Sequence, residues 1–145
     1  MMKINPYLNF DGNCEEAFNF YKSVFGGEFL YMGRFEDMPP QEGMPDMPEA
    51  FKKRIMHVSL QIGETVLMGS DTGGDCGPKF ALGNNISLSI GIDSKEEANQ
   101  LFTGLSKGGN VVMPMDEMFW GDYFGMFTDK FGVNWMISAR TGGNM

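Results

Sequence analysis

Apolar residues recur at helical spacing in two segments of the chain. One stripe consists of Ala17, Phe18, Tyr21, Val24 and Phe25, and the other of Ala98, Leu101, Phe102 and Leu105. A spacing of three and four residues places such side chains on one face of an α-helix. Ser94 and Glu97 form a capping box before the second stripe, and Asn13 can cap the first helix. A Gly-Gly pair follows each stripe, which predicts two helices that end where a left-handed residue carries no steric cost.

Shorter segments alternate apolar and polar residues, which is typical of strands with one buried face. Ile86, Leu88, Ile90 and Ile92, for example, alternate with Ser87, Ser89 and Gly91. We predict eight strands, at residues 4–10, 28–35, 55–62, 65–69, 86–92, 110–115, 123–128 and 134–139.

The order of these elements repeats once along the chain. Asp11 and Asp93 are 82 positions apart, and the Gly-Gly pairs at 26–27 and 108–109 have the same separation. Each copy reads strand, helix and three more strands. The sequence therefore predicts one α+β domain of two βαβββ modules, residues 1–80 and 81–145, whose curled mixed sheets surround a cup. A Pro- and Met-rich stretch at residues 37–50 interrupts the first module, and we interpret it as either a surface loop or a lid over a ligand.

Composition excludes several classes of partner. The net charge of −8 and the pI near 4.5 disfavour nucleic acid and anionic membrane surfaces. No apolar run approaches the length of a membrane span, and the first residues do not resemble a secretion signal. Cys14 and Cys76 form no metal-binding or redox pair, so we expect reduced thiols and a cytoplasmic protein.

Motifs in nearly every predicted element resemble the glyoxalase/bleomycin-resistance/extradiol-dioxygenase superfamily, also called vicinal oxygen chelate proteins. The similarity is closest to its PhnB-like branch. The residues that carry it include Pro6-Tyr7-Leu8, Asn13-Cys14-Glu15-Glu16-Ala17, Ile55-Met56-His57, Leu67-Met68-Gly69-Ser70-Asp71, Phe119-Trp120-Gly121-Asp122 and Asp129-Lys130-Phe131-Gly132 with Trp135. The resemblance implies a cup built from two half-barrels and a homodimer.

In metal-dependent members of this superfamily, His or Glu side chains project inward from the first and last strands of each half. The corresponding positions here are Asn5, Met68, Ser87 and Met136, or Trp135 if the register shifts by one residue. None of these side chains is a good ligand for a divalent metal, and the chain has one histidine. We therefore predict no metal and no cofactor. The glycine-rich segment 69–75 precedes no predicted helix, so we interpret it as a turn and not as a site for a nucleotide-type methyl donor.

His57 is the strongest candidate for proton transfer near neutral pH. Alternation places it on a strand face with Ser59 and Gln61. If that face is the inside of the cup, His57 is a polar anchor or a base; if it is the outside, the ring is merely solvated.

A further set of side chains offers pocket walls and polar anchors. The predicted ligand-binding residues are Tyr7, Met68, Asp71, Trp120, Asp122, Tyr123 and Trp135. Core packing or a dimer contact explains the aromatic residues equally well, and turn capping explains Asp71 and Asp122.

The leading functional hypothesis is a metal-free dimeric protein that binds a small, partly apolar metabolite or xenobiotic in the cup. The alternative is a lyase or isomerase that moves a proton with His57 and a carboxylate, with or without a divalent metal held across the dimer. A third class, an assembly module, requires a cup filled by its own side chains.

Overall fold

The computed structural model describes residues 2–37, 48–72 and 80–140. By its internal contacts the chain divides into two compact units, Met1–Ala81 and Leu82–Met145. Each unit contains a four-stranded mixed sheet and a helix of 12 residues. Among the described residues, no helix combines the length and the apolarity that a bilayer crossing requires.

The elements of the first unit are β1 (Tyr7–Phe10), α1 (Cys14–Phe25), β2 (Glu28–Arg34), a 3₁₀ turn (Phe35–Asp37), α2 (Glu49–Lys52), β3 (Ile55–Ile62) and β4 (Thr65–Asp71). Those of the second are β5 (Leu88–Ile92), α3 (Lys95–Ser106), β6 (Asn110–Glu117), β7 (Asp122–Thr128) and β8 (Asn134–Arg140). The prediction of an α+β fold with two βαβββ modules is confirmed.

The two sheets have the same topology. Their strand orders are β1-β4-β3-β2 and β5-β8-β7-β6, with the first strand parallel to the last and the other pairs antiparallel. Bulges fall at matching places: the pairing shifts between Phe29 and Tyr31 in β2 and between Val111 and Met113 in β6. A bulge inserts one residue and reverses which face the following side chains occupy.

Each helix covers one face of the sheet in its own unit. Phe18 and Tyr21 of α1 are fully buried, and a Cβ on Gly69 of β4 would lie 2.7 Å from the Phe18 ring. In the second unit a Cβ on Gly125 of β7 would lie 2.9 Å from the Phe102 ring of α3. Glycine at these two positions lets an aromatic ring pack directly on the backbone. We call the sheet face opposite the helix the distal face.

The helix ends follow the predicted signals with one exception. The Ser94 hydroxyl accepts a hydrogen bond from the Glu97 amide at 3.3 Å, as the capping box predicts. Asn13 makes no side-chain cap, so that prediction is wrong; the Asp71 carboxylate accepts from the Cys14 amide at the first position of the helix instead. Gly27 and Gly109 have no room for a Cβ, because it would clash with the carbonyl oxygens of Gln61 and Thr128.

The predicted strand boundaries are mostly right, with three corrections. Strands β1 and β5 begin at Tyr7 and Leu88, later than the predicted starts. Strand β4 continues through Asp71, so the start of the segment interpreted as a glycine-rich turn is strand. Residues 49–50 of the predicted loop form the start of α2. The rest of the proposed lid, residues 38–47, lies outside the described residues.

Candidate functional site

The register of the first sheet determines which side chains share its distal face. Met68 lies beside Tyr7 of β1 and Ser59 of β3, and neither Met68 nor Ser70 can share the helix side with Gly69. Because side chains alternate along a strand, His57 lies with Ser59 on this same face. The first sheet therefore brings together Tyr7, His57 and Met68 of the predicted site.

Three aromatic residues form the centre of this face. The Tyr7 hydroxyl and His57 Nδ1 are 3.1 Å apart, and their ring planes differ by 26° with centroids 5.6 Å apart. The Tyr31 ring lies next to His57, with a centroid distance of 6.0 Å and planes 32° apart. We call Tyr7, His57 and Tyr31 the Tyr–His–Tyr cluster. Its three rings come from β1, β3 and β2, which are distant in sequence.

Two polar groups at the edge of the cluster have no hydrogen-bond partner among the described residues. Whichever group donates in the Tyr7–His57 bond, the second imidazole nitrogen, Nε2, has no hydrogen-bond partner within residues 2–37, 48–72 and 80–140. The Tyr31 hydroxyl is likewise without a hydrogen bond in the described chain. Tyr7 and Tyr31 are 44% and 49% exposed, so both offer ring faces as well as hydroxyls.

Sequence reasoning missed Tyr31 because of the β2 bulge. Simple alternation places Phe29 and Tyr31 on one face, yet Phe29 pairs with buried Leu60 and Tyr31 pairs with Ser59. The inserted residue, Leu30, transfers Tyr31 to the distal face. A tyrosine three positions after Gly26-Gly27-Glu28 gives no sequence signal of such a shift.

The second sheet does not repeat this chemistry. Its register places Ser89, Phe124 and Met113 where the first sheet has Tyr7, His57 and Tyr31. An imidazole with two phenols is thus replaced by one small polar and two apolar side chains. The duplicated fold provides two distal faces, and only the first has a polar aromatic cluster among the described residues.

Trp120 and Asp122 lie together in the β6–β7 connection. The Trp120 indole Nε1 donates to Asp122 Oδ2 at 3.0 Å, and its ring contacts Phe124 at a centroid distance of 5.9 Å. Phe119 beside it is 98% exposed. This hydrogen bond joins two side chains of the same turn and orients the Trp120 indole.

Tyr123 and Trp135 lie on the helix side of the second sheet. The Tyr123 hydroxyl donates to Asn99 Oδ1 of α3 at 2.8 Å, and the Lys95 ammonium lies 5.1 Å from its ring centroid. Trp135 is 4% exposed and donates from Nε1 to Asp129 Oδ2 at 2.9 Å. The structure thus separates both residues from the distal face and gives them packing contacts.

Asp71 is a buried carboxylate that joins three segments of the first unit. Its Oδ1 accepts from the Gly12 and Cys14 amides at 2.8 and 3.0 Å, and its Oδ2 accepts from the Ile55 amide at 2.9 Å. The side chain, at 4% exposure, therefore anchors the start of α1 and the start of β3 to the end of β4. A carboxylate at a helix N-terminus is also favoured by the helix dipole.

Cys14 is not positioned for nucleophilic chemistry. It is fully buried, and burial, together with the nearby Asp71 and Glu15 carboxylates, raises the pKa of its thiol. These effects outweigh the helix N-terminus, which lowers a thiol pKa only where the group is accessible.

We expect native Cys14 to react with iodoacetamide at pH 8 at least about 100-fold more slowly than in urea, because the thiol is buried and neutral. The measurement is mass-spectrometric alkylation kinetics of a Cys76→Ser variant. Equal rates in the native and unfolded states would contradict the assignment.

Comparison with known proteins identifies the family. The family model described as 3-demethylubiquinone-9 3-methyltransferase matches residues 2–138. The chain belongs to this family. Protein YjdN of Escherichia coli (strain K12) is 32% identical to it over 95% of both chains.

Solved structures agree with this family. Protein PA1353 from Pseudomonas aeruginosa is 40% identical, with a TM-score of 0.84 over 97% of this chain and 98% of the other. A putative 3-demethylubiquinone-9 3-methyltransferase, PhnB protein, from Bacillus cereus is 26% identical, with a TM-score of 0.73 over 95% and 99%. A glyoxylase/bleomycin resistance protein/dioxygenase domain from Frankia sp. EAN1pec shares the fold, with a TM-score of 0.66 at 13% identity. The predicted PhnB-like membership is confirmed.

The positions predicted to correspond to the metal ligands of the superfamily carry side chains that bind divalent metals weakly. Met68 and Met136 occupy the last strands of the two units and Asn5 and Ser87 precede β1 and β5. In the described parts of the chain no three His, Cys, Asp or Glu side chains are grouped as a metal site requires. The donor set is unsuited to a divalent ion in an oxygen and nitrogen site.

Proposed function

We propose that this PhnB-like protein binds a small, partly apolar molecule on the distal face of its first sheet, with His57 as the polar anchor. The observation that carries the proposal is the Tyr–His–Tyr cluster, in which His57 Nδ1 is paired with Tyr7 and Nε2 has no hydrogen-bond partner in the described part of the chain. Binding sites of this kind place a few convergent polar groups within a mainly apolar and aromatic surface.

The neighbours of the cluster fit such a ligand. Met68 lies between Tyr7 and Ser59 in the sheet register, so an adaptable thioether adjoins the rings. The hydroxyls of Ser59 and Ser70 add small polar groups at the base of the face. The face thus offers apolar contact area with a few fixed hydrogen-bonding groups.

The geometry favours binding over the methyl transfer named in the family description. Nucleotide-type donors use the free amides at a strand-to-helix turn. At the β1–α1 turn the Gly12 and Cys14 amides are already bound to the Asp71 carboxylate. Methyl transfer from such a donor is therefore not part of the function we propose.

The isomerase or lyase alternative has less structural support. It requires a carboxylate that shares a proton-transfer site with His57. In the described part of the chain, the hydrogen-bond partner of His57 is the Tyr7 hydroxyl, while Asp71 is buried on the helix side.

We also propose a cytoplasmic homodimer. Strand β6 is at the edge of its sheet and exposes Val111 and Val112 at 44% and 59%. Exposed apolar edge strands are usually covered by another chain. Light scattering after size exclusion tests the dimer directly, and a monomer across micromolar concentrations would contradict it.

The test of the proposed function is a thermal-shift screen of the protein against a metabolite library. A compound that binds the folded state raises Tm. We expect His57→Ala to weaken the affinity of a hit about tenfold, because it removes a hydrogen bond and ring contact worth about 1.4 kcal/mol. Isothermal titration calorimetry measures the change.

Gln61→Ala is the matched control. Gln61 lies on the same strand, and its side chain donates to the Gly63 carbonyl at the adjacent turn. This variant should bind as the parent does. A hit whose affinity is unaltered by His57→Ala, or a library that gives no hit, counts against the proposal.

A further inference from the structure

We infer that the first distal face recognises a planar aromatic ligand with a hydrogen-bond acceptor at its edge, and that Gly33 sets this selectivity by positioning Tyr31. The inference rests on the proposed function and names the class of ligand. Its support comes from ring orientation, the unused donors and the space above Gly33.

The rings of the Tyr–His–Tyr cluster are tilted alike. The planes of Tyr7 and Tyr31 lie at 26° and 32° to the His57 plane, whereas the buried aromatic pairs in the core between α1 and its sheet meet edge to face, at 80° for Phe10–Phe18 and 76° for Phe18–Tyr21. The three rings share a similar tilt, and the two tyrosines are about half exposed, so we expect a flat molecule to lie against them. Flat molecules stack on such faces more favourably than puckered ones of equal size.

The unused donors define the edge of the ligand. The Tyr31 hydroxyl and His57 Nε2 have no hydrogen-bond partner in the described residues. In the tautomer in which the Tyr7 hydroxyl donates to Nδ1, the proton of a neutral His57 is on Nε2. In that tautomer His57 Nε2 and the Tyr31 hydroxyl are two donors at the rim of an aromatic surface, and they fit a carbonyl or ether oxygen on the ligand.

Gly33 provides the room that Tyr31 needs. A Cβ at this position would collide with the Tyr31 hydroxyl and lie 2.7 Å from Cζ. Gly33 is opposite His57 in the register, so the Tyr31 ring lies across its own strand toward the imidazole. The obstructing atoms belong to a side chain, so a methyl group at residue 33 displaces the ring while the strand stays in place.

The experiment compares benzamide with cyclohexanecarboxamide, which have the same neutral acceptor and differ in planarity. Each is titrated into full-length protein without a tag. The chain has one histidine, so the imidazole Cε1–H signal in NMR reports His57 without ambiguity. We expect benzamide to bind about twofold to tenfold more tightly, which is the range that stacking supplies.

Three variants test which residues cause the preference for benzamide over cyclohexanecarboxamide. Gly33→Ala and Tyr31→Leu should each remove the preference for benzamide, while Tyr31→Phe should keep it and lower both affinities. Glu28→Gln is the control, because Glu28 is exposed on the same strand, precedes the bulge and pairs with Gln61 rather than with His57; it should bind as the parent does. Unchanged tyrosine and amide spectra away from β2 establish that Gly33→Ala is folded.

The outcomes separate this inference from the proposed function. Equal affinity for the two amides, or a preference that survives Gly33→Ala, overturns the inference and leaves the proposed function standing. If neither amide shifts the His57 signal while a hit from the thermal-shift screen does, the inference also fails alone. A His57 signal that responds to protein concentration and to no small molecule indicates a contact between copies and overturns both.

Discussion

Replacing Asp71 by Ala is expected to lower the free energy of unfolding of the first unit by about 3–5 kcal/mol. The substitution leaves three backbone amides, those of Gly12, Cys14 and Ile55, without the acceptor they share. Each buried donor that loses its partner costs about 1–3 kcal/mol. Asp71→Asn should cost less, because an amide oxygen can still accept from Gly12 and Cys14.

The measurement is urea denaturation followed by far-UV circular dichroism, since both tryptophans lie in the second unit and report on that unit. Asp11→Asn is the matched control. Asp11 is close in space, but its side chain is 59% exposed in a surface ion pair with Arg54, which contributes at most about 1 kcal/mol. If Asp71→Ala is as stable as the parent but binds the ligand more weakly, the structural assignment is wrong and Asp71 belongs to the binding site.

Replacing Asp129 by Ala is expected to cost the second unit about 3 kcal/mol. Asp129 is 3% exposed and accepts from the Phe131 and Val133 amides and from the Trp135 indole at 2.8, 3.0 and 2.9 Å. It therefore fixes the turn before β8 and orients the largest side chain of that strand. The lost acceptor leaves buried donors unsatisfied.

A double-mutant cycle isolates the indole bond. Asp129→Asn keeps the oxygen that faces the two amides and places an NH₂ against the Trp135 N–H. The loss of unfolding free energy caused by Asp129→Asn should be about 1 kcal/mol smaller in a Trp135→Phe background, because the opposing indole donor is absent there. Tryptophan fluorescence of Trp120 and circular dichroism follow unfolding. Additive effects of the two substitutions would show that the Asp129–Trp135 bond contributes little.

Most of the fold was predictable because its signals are local. The two helical stripes and the Ser94 cap each depend on residues near one another in sequence, and the 82-residue offset between Asp11 and Asp93 shows that the same local pattern occurs twice. Strand β3 has its predicted bounds, Ile55–Ile62. Where a distant residue competes with a local signal, the prediction is wrong: Asn13 is a good capping residue but makes no side-chain cap, and the distant Asp71 carboxylate binds the Cys14 amide at the start of the helix.

The candidate site was only partly predictable because it depends on register. Tyr7, Met68 and His57 share a face, as regular alternation allows. Tyr31 joins them through a bulge that composition does not signal. Tyr123 and Trp135 have the right chemistry for a pocket wall, but pairing with Ala139 and Leu88 places them on the helix side.

The most direct test of the account is the set of intermolecular NOEs between a bound ligand and the aromatic rings of the protein. The chain has four tyrosines and one histidine, and selective protonation of these residues in deuterated protein resolves their rings. We predict NOEs from the ligand to His57, Tyr7 and Tyr31, and none to Tyr21 or Tyr123, which pack on the helix side. NOEs confined to Tyr123 or to phenylalanines of the second unit, with a silent His57, would contradict the account.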